Sequence, residues 1–280
     1  MTQPCFPSHQ FGQYLVTALS DGNMSASLDL LSGIEHATAN EIQRSAGIDE
    51  PDNIHINCYL IRGNGKTMLV DAGTGGMNSS GGMLLERLAS LSILPEAIDI
   101  VMLTHGHPDH IGGLMDTKGH AVFKNAALYL HPVEAEYWKN DEMLKLASER
   151  GQRNFALVRH TLEAYGKHLH YFNENEVVQG IKPVLLPGHT PGHTGFRIDT
   201  EQKSLLIWGD IVHYPHIQSA RPAVSIAFDY DPAQAEATRK QILDQAVSEK
   251  LVVAGMHFAK PGFAHVHPVS DGYRIAYIEE

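Results

Sequence analysis

Between residues 104 and 113 the chain reads Thr-His-Gly-His-Pro-Asp-His-Ile-Gly-Gly, which places His105, His107, Asp109 and His110 within six residues. Side chains two apart in an extended or turning segment can point to one side, so His105 and His107 can share one metal while Asp109 and His110 face another. Imidazole nitrogen with carboxylate oxygen is a ligand set for zinc and related borderline cations. The segment follows an apolar run at 98–103. Three later apolar runs also end in a candidate ligand: 184–186 before Pro187-Gly188-His189, 205–208 before Gly209-Asp210, and 251–254 before Gly255-Met256-His257. Ligands delivered from the ends of several strands form a site held by rigid elements, which a solvated histidine-rich turn would not need. Histidine fills 18 of 280 positions, roughly two to three times ordinary usage, and these runs give part of the excess a purpose.

His105-Gly106-His107-Pro108-Asp109-His110 resembles the H-x-H-x-D-H signature of the metallo-β-lactamase fold superfamily, and the ordered His189, Asp210 and His257 extend the resemblance over residues 54–280. It implies an α/β fold, a four-layer αββα sandwich with two metals at one edge of its sheets. By the same resemblance His105, His107 and His189 bind the first metal, Asp109, His110 and His257 the second, and Asp210 bridges both. Asp71, in Val70-Asp71-Ala72-Gly73, is expected to orient a ligand imidazole, and His193 to play a structural or supporting part rather than to ligate.

A carboxylate between two cations favours a dinuclear site. True β-lactamases usually carry cysteine or serine at the station of Asp210, and flavodiiron proteins glutamate at that of His107. Superfamily nucleases usually have a large second domain and a basic surface, and glyoxalase-II-type thioesterases close with a helical segment. Phe228-Asp229-Tyr230-Asp231-Pro232, the passage from Phe258 to Val266 and Asp210-Ile211-Val212-His213 look like the methyl parathion hydrolase and N-acyl-homoserine lactonase branch. Many lactonases place a tyrosine where His213 stands. An imidazole there can donate to a carbonyl or protonate a leaving alkoxide, or form a wall beside the metals.

The expected function is therefore hydrolysis of an N-acyl-homoserine lactone by hydroxide bridging two divalent ions, with zinc the leading metal. Asp109 handles the proton, and Asp109, Asp210 and His213 form the catalytic group. Hydrolysis of aryl esters or organophosphate triesters is the alternative. A metal-bearing binding module and a one-iron persulfide dioxygenase are rival classes, separable by ester hydrolysis, metal content and oxygen uptake.

The elements that must position these residues follow from hydrophobic patterning. Strands are expected at 13–19, ended by a turn at Asp21-Gly22, and at 54–61 and 67–70, joined at Gly63-Asn64-Gly65. Further strands are expected at 98–103, 125–130, 177–186, 195–198, 204–208 and 251–254. Short helices or loop fill 28–50, and helices are expected at 83–94 and, from Pro232, at 233–247. No repeat or linker divides the chain, so one domain is expected over 1–280, with an N-terminal extension at about 1–50 and a helical cap at about 132–166. The cap and residues 13–31 would wall an acyl or aryl group, while Tyr137, Trp138 and Phe155 fit a core equally well. His216, His265 and His267 are ordinary or pocket-lining histidines.

Bases numbering 21 against 32 acids give a net charge of −11, which repels phosphate backbones and anionic lipids and argues against nucleic-acid or membrane partners. The opening residues lack an export pattern, and a cytoplasmic location is expected, with Cys5 and Cys58 reduced. The partner expected is a small ester or lactone, and the family resemblance adds a homodimer.

Overall fold

The computed structural model describes residues 6–172, 176–259 and 262–278; Cys5, Lys260 and Pro261 fall outside them. The strands of the first half are β1 (Ser8–Phe11), β2 (Tyr14–Ser25), β3 (Leu31–Ser32), β4 (Asn53–Gly63), β5 (Lys66–Val70), β6 (Ile100–Met102), β7 (Ala127–Leu130) and β8 (Leu169–Tyr171). The second half adds β9 (Lys182–Leu185), β10 (Thr194–Ile198), β11 (Leu205–Ile207), β12 (Ser225–Ile226), β13 (Val252–Ala254), β14 (Phe263–Val269) and β15 (Gly272–Tyr277). Helices are α1 (His36–Ser45), α2 (Leu84–Ser90), α3 (Pro108–Ile111), α4 (Pro132–Lys139), α5 (Asp141–Leu146), α6 (Glu149–Tyr165), α7 (Pro215–Ala220) and α8 (Pro232–Ser248).

One sheet runs β1-β2-β4-β5-β6-β7-β8 and the other β15-β14-β13-β11-β10-β9. The pleat sends successive side chains to opposite faces, and central strands buried on both sides read as continuous apolar runs. Thus Tyr59, Ile61, Met68, Val70, Ile100 and Met102 meet Phe196, Leu205, Ile207 and Val252 between the sheets. The alternate residues Leu60, Leu69 and Val101 face outward, where α2, α4 and α6 cover them through Leu88, Trp138 and Phe155. On the far face Leu206 and Val253 pack under Ile242 and Leu243 of α8. Helices therefore flank two facing sheets. Among the described residues no helix is long and apolar enough to cross a membrane.

Several expectations need correcting. The stretch expected as an extension supplies β1 and β2 of the first sheet, where β2 pairs with β4 along its length. Asp21-Gly22 makes no turn, because Gly22 (φ +117°) absorbs a bulge and β2 continues to Ser25. The run at 83–94 stops being helical after Ser90, with Ser92 in the left-handed region, and only Lys182–Leu185 of 177–186 is strand. The hairpin β14–β15, β8 and α7 were not anticipated, being short or rich in histidine and proline.

Asp21 is buried and accepts hydrogen bonds from the Thr74, Gly82 and Leu84 amides, each at 2.9 Å, and from the Thr74 hydroxyl at 3.1 Å. It gathers the Gly73–Gly82 loop beneath the strand end that carries Asp71. A Cβ at Gly73 (φ +69°) would collide with that carboxylate. Asp21→Ala would strand these donors and is expected to lower unfolding free energy by about 3 kcal/mol, read from urea denaturation.

Candidate metal centre

Every residue of the cluster follows the carboxyl end of a strand. His105, His107, Asp109 and His110 follow β6, His189 follows β9, Asp210 follows β11 and His257 follows β13. His105 Nε2, His107 Nδ1 and His189 Nε2 form a triangle with sides of 3.0, 2.9 and 3.2 Å. A tetrahedral ion with 2.0–2.1 Å bonds would separate its ligands by about 3.3 Å. Asp109, His110, Asp210 and His257 make the second group whose ligand atoms converge.

Asp210 Oδ2 lies between the groups, 2.9 Å from His257 Nε2, 3.1 Å from His110 Nε2, 3.8 Å from His189 Nε2 and 3.9 Å from His105 Nε2. Its Oδ1 is buried without a hydrogen-bond partner.

Contacts on the far side of each ring decide which nitrogen carries hydrogen. His257 Nδ1 donates to the His55 carbonyl at 2.7 Å, His189 Nδ1 to Asp229 at 2.9 Å and His110 Nδ1 to Asp71 at 2.7 Å. The Thr104 hydroxyl donates to Asp71 at 2.7 Å, so it accepts from His105 Nδ1 at 3.0 Å. Four Nε2 atoms are thereby turned toward one another and toward two carboxylates, an arrangement that cations satisfy. Burial alone would lower the affinity of His110 and His257 for protons. Asp210, with Asp109, reverses this and lifts both above the usual imidazole range, so the cluster draws in positive charge. The donor chemistry fits two divalent ions.

The supports are themselves built in. Asp71 sits in the left-handed region (φ +61°), a conformation costing about 1–3 kcal/mol that is held here by the Thr104 amide and hydroxyl and by His110. His193 donates from Nδ1 to the Leu186 carbonyl and accepts the Asp210 amide at Nε2, both at 2.9 Å, so it orients Asp210 from behind. Burial, then the neighbouring His189, keeps it neutral with a pKa of about 3. His213 Nε2 approaches Asp210 Oδ2 to 3.2 Å and its ring stacks on His257. Burial, opposed by Asp210, holds its pKa at about 4.

Three residues escaped the sequence-level reading. Buried Glu134 accepts from the Gly106 amide, Trp138 Nε1, the Thr190 hydroxyl and the Gly192 amide at 2.6–3.0 Å, tying the His105–His107 segment to the His189 loop. A Cβ on Gly106 would run into Trp138. Asp229 faces His189 on one side and Arg239 at 3.5 Å on the other, and Arg239 also donates to the Ile211 and Val224 carbonyls. Burial disfavours the Asp229 carboxylate, but His189 and Arg239 hold its pKa near 2. Asp229 lay in a passage singled out by resemblance; Glu134 gave no signal beyond a carboxylate in a first helical turn.

A cavity of about 260 Å³ opens on the cluster, lined by His107, Asp109, Asp210 and His213 with Met24, Leu30, Arg150 and Phe228. The cap contributes Arg150, Gly151 and Asn154 from the start of α6, whereas Tyr137, Trp138 and Phe155 pack on the first sheet. His216 lines a different cavity, and His265 and His267 lie on β14, away from the cluster.

The sequence pattern of the metallo-beta-lactamase superfamily matches residues 52–257. The chain belongs to that superfamily. Its structure matches that of the hydrolase AbOPH of the beta-lactamase superfamily with a TM-score of 0.90 at 28% identity, covering 98% of each chain. It matches AidC, a dizinc quorum-quenching lactonase in complex with a product N-hexanoyl-L-homoserine, with a TM-score of 0.91 at 25% identity, again over 98% of each chain. Hydroxyacylglutathione hydrolase GloC of Haemophilus influenzae is 28% identical over 165 residues, 56% of this chain and 66% of GloC, just under two thirds of that relative.

Two measurements check the centre. Removing divalent ions with EDTA should lower Tm by about 10 °C, since free metal at about 1,000 times Kd stabilises by about 4 kcal/mol. Glu134→Gln, which turns an amide donor toward four existing donors, should weaken metal affinity about 10–100-fold in a competition titration with a chromophoric chelator.

Proposed function

We propose that this protein is a dinuclear metal-dependent hydrolase that opens the lactone ester of N-acyl-homoserine lactones. The observation that carries the reading is the single oxygen Asp210 Oδ2 set between two ligand groups at the floor of a small cavity. Likeness to AidC over 98% of both chains supports the substrate class. His105, His107 and His189 would hold one ion, Asp109, His110 and His257 the other, and Asp210 both, with zinc favoured by the imidazole and carboxylate set. When bound, such a pair polarises a carbonyl and lowers the pKa of an attacking water toward about 7.

The remaining work falls to the chain's own groups. Asp109, 13% exposed at its side chain against 2% for Asp210, is the more open of the two carboxylates that line the cavity. Burial raises its proton affinity, yet His110 and His257 hold its carboxyl well below the ordinary range, so it orients the attacking water and does not keep the proton. Burial, opposed by Asp210, holds His213 neutral, and its Nε2–H can give a hydrogen bond to the carbonyl oxygen and then to the departing alkoxide, whose proton comes from the attacking water. Gln218 Oε1 accepts the His213 amide at 2.6 Å and fixes that ring's backbone. Met24, Leu30 and Phe228 give an acyl group an apolar wall.

Adding N-hexanoyl-homoserine lactone to the zinc-loaded protein in weak buffer should release acid saturably, followed with a pH indicator. No release above the metal-stripped control would overturn lactone opening and direct the search to aryl esters and phosphotriesters. His213→Phe should lower kcat by about 10²–10³ while two equivalents of metal remain bound; loss of metal in that variant would make His213 a ligand.

A further inference from the structure

A second cavity, about 530 Å³, also borders His213, lined by Asn23, Gln43, Ile48, His55, His216 and the proposed ligand His257 among others. Among the described residues His213 alone lines both cavities. Successive residues of β2 reinforce the division, Asn23 facing the larger cavity and Met24 the smaller. The His213 residue is only 1% exposed, so its ring is packed as a wall between two spaces. Three contacts hold it there: the Gln218 oxygen on its amide, the His257 ring stacked at 5.2 Å, and Asp210 Oδ2 at 3.2 Å from Nε2. Its Nδ1 has no hydrogen-bond partner, so no contact beyond the ring competes with that placement. The smaller cavity falls below the ~300–1,000 Å³ typical of pockets that enclose drug-sized ligands, whereas the larger lies within that range.

We propose that His213 is a specificity-determining partition, which confines the group attached to the reacting carbonyl to the smaller cavity by closing off the larger. The proposal rests on the hydrolase reading above and adds what that site excludes. The wild-type protein then favours compact acyl or alkoxy groups, and shortening residue 213 joins the two spaces behind the reacting centre.

The test compares kcat/KM for p-nitrophenyl 2-naphthoate and p-nitrophenyl acetate on zinc-loaded protein. Absolute rates fall wherever His213 also gives that hydrogen bond, so the ratio of bulky to small ester is the readout. His213→Ala should raise that ratio about tenfold or more, and His213→Gln, which keeps a wall of similar length without the imidazole, should leave it within about threefold of wild type. Ile48→Trp fills the larger cavity; added to His213→Ala, it should return the ratio toward wild type, and alone it should leave acetate hydrolysis unchanged. An unchanged ratio in His213→Ala with metal content intact overturns the partition. If that variant does not fold, His213→Val carries the same comparison.

Binding separates failure of the partition from failure of the hydrolase reading. By equilibrium dialysis the unreactive ketone 2-acetonaphthone should bind His213→Ala about tenfold more tightly than wild type, and equal binding overturns the proposal. If wild-type protein hydrolyses neither ester, activity on aryl esters falls while acid release from the lactone still tests the hydrolase reading, and the ketone decides whether His213 divides the cavity.

Discussion

A buried carboxylate facing several imidazoles is the constraint from which the rest of the site follows. Asp210 Oδ2 lies 2.9–3.9 Å from Nε2 of His257, His110, His213, His189 and His105, at 2% exposure. Isolated in a dry interior such a charge is costly, and it becomes tolerable only where opposite charge is supplied at close range. Asp71, Asp109 and Asp229 add further carboxylates to the same neighbourhood. The cluster is thus built around cations, and the architecture serves to hold lone pairs where repulsion would otherwise scatter them.

Rigidity comes from the strand ends. Parallel pairing of β5 with β6 and of β11 with β13 sets Asp71 near His110 and Asp210 near His257. Between the sheets and beneath the helices the apolar faces are closed, so the polar loops emerge at one edge, as expected beyond the carboxyl ends of strands. Two carboxylates outside the ligand set then stitch loops together: Asp21 gathers the Gly73–Gly82 loop, and Glu134 joins the His105 segment to the His189 loop. Each accepts four hydrogen bonds, so neither is left as an uncompensated buried group.

The chain reads differently in its outer parts. Periodicity marked the helices at 132–166, but their aromatic residues serve the core over the first sheet, leaving the start of α6 as the part that borders the cavity. The N-terminal segment lies outside the stretch that the family resemblance covers, yet a bulge at Gly22 lets its strand run on as part of the first sheet. Asp21 reads as a turn residue because it precedes Gly22 where the alternation stops, and its identity as a loop organiser depends on Thr74, Gly82 and Leu84, more than fifty positions away.

From the sequence alone one can derive the superfamily, the central apolar strands and the cluster residues, since ligands two or three apart and apolar runs ending in histidine or aspartate are local facts of backbone geometry. Tertiary structure decided what no spacing encodes. The hydrogen on the rings of His110, His189, His105 and His257 is assigned by Asp71, Asp229, Thr104 and the His55 carbonyl, in that order. The tie between loops depends on Glu134, and the division of the substrate space on His213 lying between two cavities. These contacts mostly join residues far apart in the chain, and their energies depend on burial, which exists only once the two sheets have closed on each other.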